Sequence, residues 1–403
     1  MLAFHRGRGN RADTGTPGAR SPQASPSVAL FWCLFAGQAS VLVLSPTLVP
    51  LARELGVSVS TAGQLRTISG VVAGVCALAA VNWVAKRVGL RQLVGAAALV
   101  LAVGSVLAAL APNYLLLALD QVLIGAALAF LISGATAAAG GWAPADDHTR
   151  VLSRALLGQP AAWVLGLPLI GLALQGGWRV AWLTVPVLAA LLAATLVLAR
   201  PKDAPTPTVG GVRSMLTNPV AAGWAVAELL AFSAWAGVLV YSGALFIESY
   251  AVSPAIASLL LAVAAAGYFP GNLLVKRIVS RRPVRLLLVL SLAMTISVAA
   301  FCLIRPGPVV STVLLAVLAF FAGGRTLAGG AFGLVVGSGN RAAAMGVRAA
   351  AQQFGYFLGS VVGGLALAVA GYPGVAAGFA GLMLLAAAVY ARLALQTRRD
   401  RYW

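Results

Sequence analysis

The sequence predicts an all-α membrane protein of twelve transmembrane helices, packed as two six-helix bundles. Three observations predict it. Of 403 residues, 61% are hydrophobic and only 9% are charged, where soluble domains carry roughly 25% charged residues. Uncharged apolar runs of about 18 residues or more, enough to span a bilayer as a helix, recur from Val28 to Leu395. The basic residues, finally, are segregated to alternate loops. The runs are rich in Leu and Ala without period-two alternation, and every unpaired amide in hydrocarbon costs several kcal/mol, so helices are expected rather than barrel strands.

Residues 1–27 are rich in Arg, Gly, Pro and Ser and are expected to form a disordered cytoplasmic tail. The first apolar run is too long for a signal-peptide core and is read as an uncleaved helix. Spans are predicted at 28–50, 61–84, 92–111, 115–138, 154–175 and 180–199, which make an N-terminal bundle over residues 28–199. The stretch 200–217, with Pro201, Pro205 and Pro207, reads as a cytoplasmic linker. The second bundle, 218–395, holds spans at 219–247, 255–275, 286–304, 309–335, 349–370 and 375–395, and residues 396–403 form a basic cytoplasmic tail.

An even span count puts both termini on one face. Of the 28 Lys and Arg residues, 23 then fall on that face, Arg341 and Arg348 in the tenth loop among them. Arg53, Arg179 and Arg305 lie on the other, and Arg66 and Arg325 lie within spans. This asymmetry makes the termini cytoplasmic in a cell membrane. The net charge of +19 is therefore a topology signal, and nucleic-acid binding is not expected. Cys33, Cys76 and Cys302 sit in spans as small hydrophobes, and His5 and His148 are far apart, so no disulfide, metal or cofactor is implied. A monomer is expected.

The halves look like repeats. Asn82-Trp-Val-Ala-Lys86-Arg87 matches Asn272-Leu-Leu-Val-Lys276-Arg277, Val41-Leu-Val-Leu-Ser45 echoes Val238-Leu-Val-Tyr-Ser242, and Gln121-x-x-x-Gly125 faces Arg325-x-x-x-Gly329. Matches in one order at nearly constant offset indicate duplication, which places a solute site between the halves near the midplane.

Further motifs are Ser45-Pro46-Thr-Leu-Val-Pro50 with Glu54-Leu-Gly-Val-Ser58 and Ala62-Gly63-Gln64-Leu65, the loop after span 2, Gly166-Leu-Pro168-Leu-Ile-Gly171 in span 5, and Gly177-Trp178-Arg179 before span 6. In their order and spacing the chain resembles the major facilitator superfamily over roughly residues 28–395, and within it the twelve-helix bacterial drug:proton antiporters. The resemblance implies efflux of small lipophilic solutes, drug or metabolite, by alternating access in exchange for protons. Lys86, Arg87 and Gly89 in the loop, and Gly166, Pro168 and Gly171, are the conformational-gating residues it implies. Two positions depart from the family pattern: Lys86 stands where the loop carries an acid, and Gln121 stands where span 4 carries an arginine. An uncoupled facilitator or metabolite exporter, or a lipid translocase, is the alternative these departures leave open.

Ionised groups in a bilayer are costly and should be paired or face water. By depth, Arg66 matches Asp120, each roughly 9 Å from the outer side, and Glu228 matches Arg325 at roughly 13–15 Å from the cytoplasmic side. These four are the candidate proton-coupling residues, with Glu228 as the leading carrier and Arg325 as its moving partner. Gln38, Gln121, Gln159, Trp163, Trp235, Tyr241, Gln352 and Gln353 are candidates for the solute surface, since pockets combine apolar walls with a few placed polar groups. Trp32, Trp83, Trp142, Trp178, Trp182 and Trp224, near span ends, read as membrane-interface anchors. Gly355, Gly359, Gly363 and Gly364 read as packing surfaces. An enzyme would need converging nucleophiles, bases or ligands at one depth, which these spans lack, and no Walker sequence points to ATP.

Overall fold

The structure, a computed structural model, describes residues 25–84, 87–142, 147–201, 203, 217–279, 282–337 and 341–399. Within them the regular secondary structure is helical. In chain order the long helices are α1 (Pro26–Glu54), α2 (Leu65–Trp83), α3 (Leu90–Leu110), α4 (Tyr114–Gly141), α5 (Arg150–Gly176), α6 (Trp178–Leu198), α7 (Pro219–Tyr250), α8 (Pro254–Lys276), α9 (Pro283–Leu303) and α10 (Pro308–Val336). A last helical stretch, Arg341–Arg399, is interrupted at Ala370 (φ −137°) and Gly371 (φ +61°), which divides it into α11 and α12. Gly371 tolerates the left-handed region and Pro373 cannot continue the preceding ladder, so the chain reverses there. Among the described residues, ten stretches are long and apolar enough to cross a membrane, the interrupted one counted once.

The starts are written locally. Asn113 accepts from the amide of Leu116, Asn218 from those of Val220 and Ala221, and Ser253 from that of Ile256. Pro219, Pro254, Pro283 and Pro308 occupy first-turn positions, where no amide is needed. Two expected boundaries move. The eleventh helix begins at Arg341 rather than 349, because the alanine-rich stretch before the apolar run is strongly helix-forming; Arg348 is therefore a helical residue and not a loop charge. The final helix likewise runs to Arg399, through part of the expected tail.

α1 to α6 pack on one another, as do α7 to α12, and the two groups meet along α1, α2 and α5 on one side and α7, α8 and α11 on the other. The surface is apolar, with Val369 86% and Ile296 72% exposed, while Glu228 is fully buried. Such a molecule is turned outward to lipid. Several tryptophans depart from the expected belt. Trp178, Trp182 and Trp224 are buried, and the Trp224 indole donates to the carbonyl of Gly329 at 3.0 Å. An indole N–H seeks an acceptor, which Trp224 finds on Gly329 and Trp178 on Glu54, while Trp182 Nε1 has none among the described residues. Trp32 is half-buried and the side chain of Trp83 lies outside the described residues.

Hydrocarbon gives no solvent drive for helix association, so close packing must supply it. α7 and α11 meet backbone to backbone where Gly359 lies against the Ser233 carbonyl and the Gly237 amide. Gly359→Val is expected to force them apart and to lower stability by about 1–3 kcal/mol, read as an earlier melting transition of the detergent-solubilised protein; an unchanged transition contradicts this packing.

Candidate functional site

Four helices of the second half converge on Glu228. Its Oε1 accepts from Arg325 Nη2 on α10 at 2.8 Å and from the Tyr390 hydroxyl on α12 at 2.9 Å, and its Oε2 from Arg348 Nε on α11 at 3.3 Å. Arg325 also donates to the Ala227 carbonyl, and Arg348 to that of Thr326. Gly329 makes room: a β-carbon there would collide with the carboxylate. One carboxylate thus balances two guanidinium groups, and the cluster carries a net positive charge. The structure brings Glu228 and Arg325 together as their depths suggest. Arg348 and Tyr390 were not expected in it. The available signal was the polar stripe Arg348, Gln352, Tyr356 at four-residue spacing, one face of a helix; Tyr390 left no comparable mark.

Arg66 and Asp120 do not pair. Arg66 Nη1 donates to Ser69 Oγ at 3.0 Å and its guanidinium lies 4.1 Å from the ring centre of Tyr356, across the seam between the halves. Asp120 instead turns toward Gly104 of α3, and neither of its oxygens has a hydrogen-bond partner among the described residues. Equal depth fixes only one coordinate; the faces of α2 and α4 that carry these groups point in different directions.

The seam runs from the end of the bundle away from the termini to its middle. Ser45 Oγ accepts from the Gly243 amide, Gln64 Nε2 donates to the Ser360 carbonyl at 3.1 Å, and Ser258 Oγ donates to the Leu167 carbonyl. Tyr241, expected at the solute surface, sits in this closure with its hydroxyl on the Ser360 carbonyl at 3.0 Å. Beneath it, Leu42, Ser45, Trp163, Trp235, Leu239 and Ser242 line an apolar cavity with about 20 Å³ of free room. That admits a water molecule and no drug-sized solute. Trp163 and Trp235 lie 5.4 Å apart between ring centres, and Trp163 also meets Tyr268. Gln38, Gln121 and Gln353 are buried, each with one amide atom unpartnered among the described residues, while Gln159 and Gln352 are half-buried.

The expected gating residues divide into two groups. In α5 a π-helical turn, Ala162–Gly166, precedes Leu167–Ala173 with Pro168 in its first turn, and Gly171 lies against Ala255 and Ser258 of α8. Such turns mark a helix able to shift. Lys86 lies outside the described residues, Arg87 is exposed, and Gly89 packs against Asp203. The Asp203 carboxylate accepts from the Arg91 amide at 3.1 Å and from Trp142 Nε1 at 2.8 Å, so the start of the linker caps α3. At the opposite end Glu54 accepts from Trp178 Nε1 at 2.6 Å and from Arg179 Nη2 at 2.8 Å, and Arg179 Nη1 donates to the Ala109 and Ala111 carbonyls. This bridge gives Glu54 and Gly177-Trp178-Arg179 a shared structural task.

Two helical bundles thus meet on a central seam, with ionised groups held inside them. Residues 30–337 match the Major Facilitator Superfamily, and the chain belongs to that family. It is 30% identical over 367 residues to the transcription regulatory protein OpdE of Pseudomonas aeruginosa, covering 89% of this chain and 91% of that one. It is also 30% identical over 197 residues to a chloramphenicol efflux pump of Mycobacterium tuberculosis, covering 47% and 48% of the two chains. Among solved structures it is similar to a bacterial homologue of the human lysosomal transporter Spinster in an inward-facing, unoccupied conformation, with a TM-score of 0.77, 15% identity and coverage of 96% and 99%. A D-xylose–proton symporter follows with a TM-score of 0.69, 17% identity and coverage of 91% and 96%.

Removing one member of a buried ion pair strands the other, at a cost of about 3–5 kcal/mol. Glu228→Ala leaves two guanidinium groups facing each other and is expected to unfold at markedly lower temperature, whereas Tyr390→Phe, which loses one neutral donor to the carboxylate, should cost less, about 1.5–3 kcal/mol. Equal melting of the two variants in detergent would show that the carboxylate does not hold this cluster together.

Proposed function

We propose that this chain is a secondary active transporter of the cell membrane that exports small lipophilic compounds, drug or metabolite, in exchange for protons. It works by alternating access through twelve spans, six in each of residues 28–199 and 218–395, with both termini cytoplasmic. The observation that carries the reading is the seam: the halves join from the outer end to the middle, and a cavity too small for a solute lies under the joint. Opening requires the halves to rock. The asymmetry of the basic residues supports the orientation.

Two carboxylates are available for coupling, and their surroundings divide their roles. Glu228, held by two arginines and a tyrosine, locks the second half and keeps Arg325 and Arg348 in place. Asp120, without a partner among the described residues, gains and loses a proton without breaking an ion pair. Proton carriage therefore moves to Asp120, with Glu228 and Arg325 as the lock it works against. Asp120→Asn is expected to abolish substrate-dependent quenching of a pH dye in proteoliposomes while solute counterflow persists. Unchanged quenching would favour the uncoupled facilitator.

The rocking itself can be trapped. A β-carbon at Gly171 falls 3.1 Å from that of Ser258, a few tenths of an ångström inside the usual disulfide separation of about 3.5–4.5 Å, which a small shift of α5 from α8 restores. Gly171→Cys with Ser258→Cys, in a background freed of Cys33, Cys76 and Cys302, should stop flux on oxidation and recover on reduction. Flux that continues through the cross-linked protein refutes opening at this seam. The regulatory role in the name of the Pseudomonas relative is the competing reading, and solute binding without any flux would favour it.

A further inference from the structure

Arg66 presents a charge that no described residue balances. It is 2% exposed, and among the described residues no carboxylate lies within ion-pair distance of it. The described acids are engaged elsewhere or turned away: Glu54 on Arg179, Asp147 on Arg150, Asp203 on Arg91 and Trp142, Glu228 on Arg325 and Arg348, Glu248 on Tyr372, and Asp120 toward α3. A guanidinium cannot shed its proton to escape burial. The Tyr356 ring beneath it returns only a small part of what burying the cation costs.

Two neighbouring amides offer donors as well. Among the described residues Arg66 Nε and Nη2 and Gln121 Nε2 lack an acceptor, Gln38 Nε2 has only the Tyr356 hydroxyl near it, and all three residues are more than nine-tenths buried. They converge. Gln38 lies within reach of the Tyr356 hydroxyl under Arg66. Gly125 of α4 packs against Ser69 of α2, the residue that Arg66 grips. Because α2 and α4 run the same way, Gln121, one turn before Gly125, is level with Arg66. Donors from three helices of one half thus lie at one level, above an aromatic ring from the other half. Deeper in the interior the next cations, Arg325 and Arg348, share a single carboxylate.

We propose that Arg66, with the amide nitrogens of Gln38 and Gln121, seats an oxyanion on the transported solute, which makes the substrate class lipophilic organic acids, carboxylates foremost. The proposal deepens the transport reading above and rests on it. Trp163, Trp235 and Tyr268 supply the apolar wall for the body of such a solute. Since the floor of the site belongs to the other half, rocking separates Tyr356 from Arg66 and changes the grip on the anion.

The test uses the purified full chain in a neutral detergent with phosphatidylcholine, and a panel of medium-chain alkanoates and arylacetates, each beside its neutral primary amide. Acids should stabilise the protein against heat where their amides do not. Affinity should fall about ten- to hundredfold in Arg66→Gln, and Arg66→Lys, which keeps the charge but not the fork, should retain part of it. Gln121→Ala serves as a milder variant if Arg66→Gln does not fold. Acids binding no better than their amides overturn the proposal. So does stabilisation by phosphatidylglycerol that no acid displaces, since the anion is then a lipid headgroup. Counterflow of a neutral compound unaffected by Arg66→Gln leaves transport standing and removes the anion site; Arg66-dependent acid binding with no flux in liposomes preserves the site and removes transport.

Discussion

Helices dissolved in hydrocarbon gain nothing from hiding apolar surface from one another, so close contact and a few polar groups must do what the hydrophobic core does in a soluble domain. Here that constraint explains the glycine-backed crossing of α7 and α11, the placement of Trp224 on a backbone carbonyl, and the concentration of every deeply buried charge at helix junctions. Glu228 shows the logic in its fullest form. Four helices are referred to one carboxylate, and each contributes either the acid or a donor that would be costly alone.

Much of the architecture was legible because span length and loop charge act on each segment independently. α3, α4, α7 and α10 fall within a few residues of their expected bounds, and the Glu228–Arg325 contact follows from counting residues down two helices. What remained hidden depends on direction rather than depth. Arg66 and Asp120 sit at one level yet face different helices, and no residue count reveals how α2 and α4 are rotated about their axes. Arg348 was misplaced for another reason: an apolar-run reading ends a helix at the first charges, whereas the alanines between Arg341 and Arg348 carry it onward.

The two ends of the first half are fastened by different chemistry. Away from the termini, Arg179 ties Glu54 to the carbonyl end of α3, and near the termini Asp203 caps the amide end of the same helix. α3 is thereby held at both poles by groups of the sign its dipole favours. The first half is thus braced at both ends of α3, while α5 carries a π-helical segment and Pro168 beside α8.

Leu42 and Ser45 of α1 occupy the same places in their repeat as Leu239 and Ser242 of α7, and all four border one chamber at the centre of the seam. The two echoing segments therefore face each other across the compartment. Under the proposed rocking of the halves, a substitution that fills this chamber also reshapes the surface along which they join, so filling and joining are not independently adjustable.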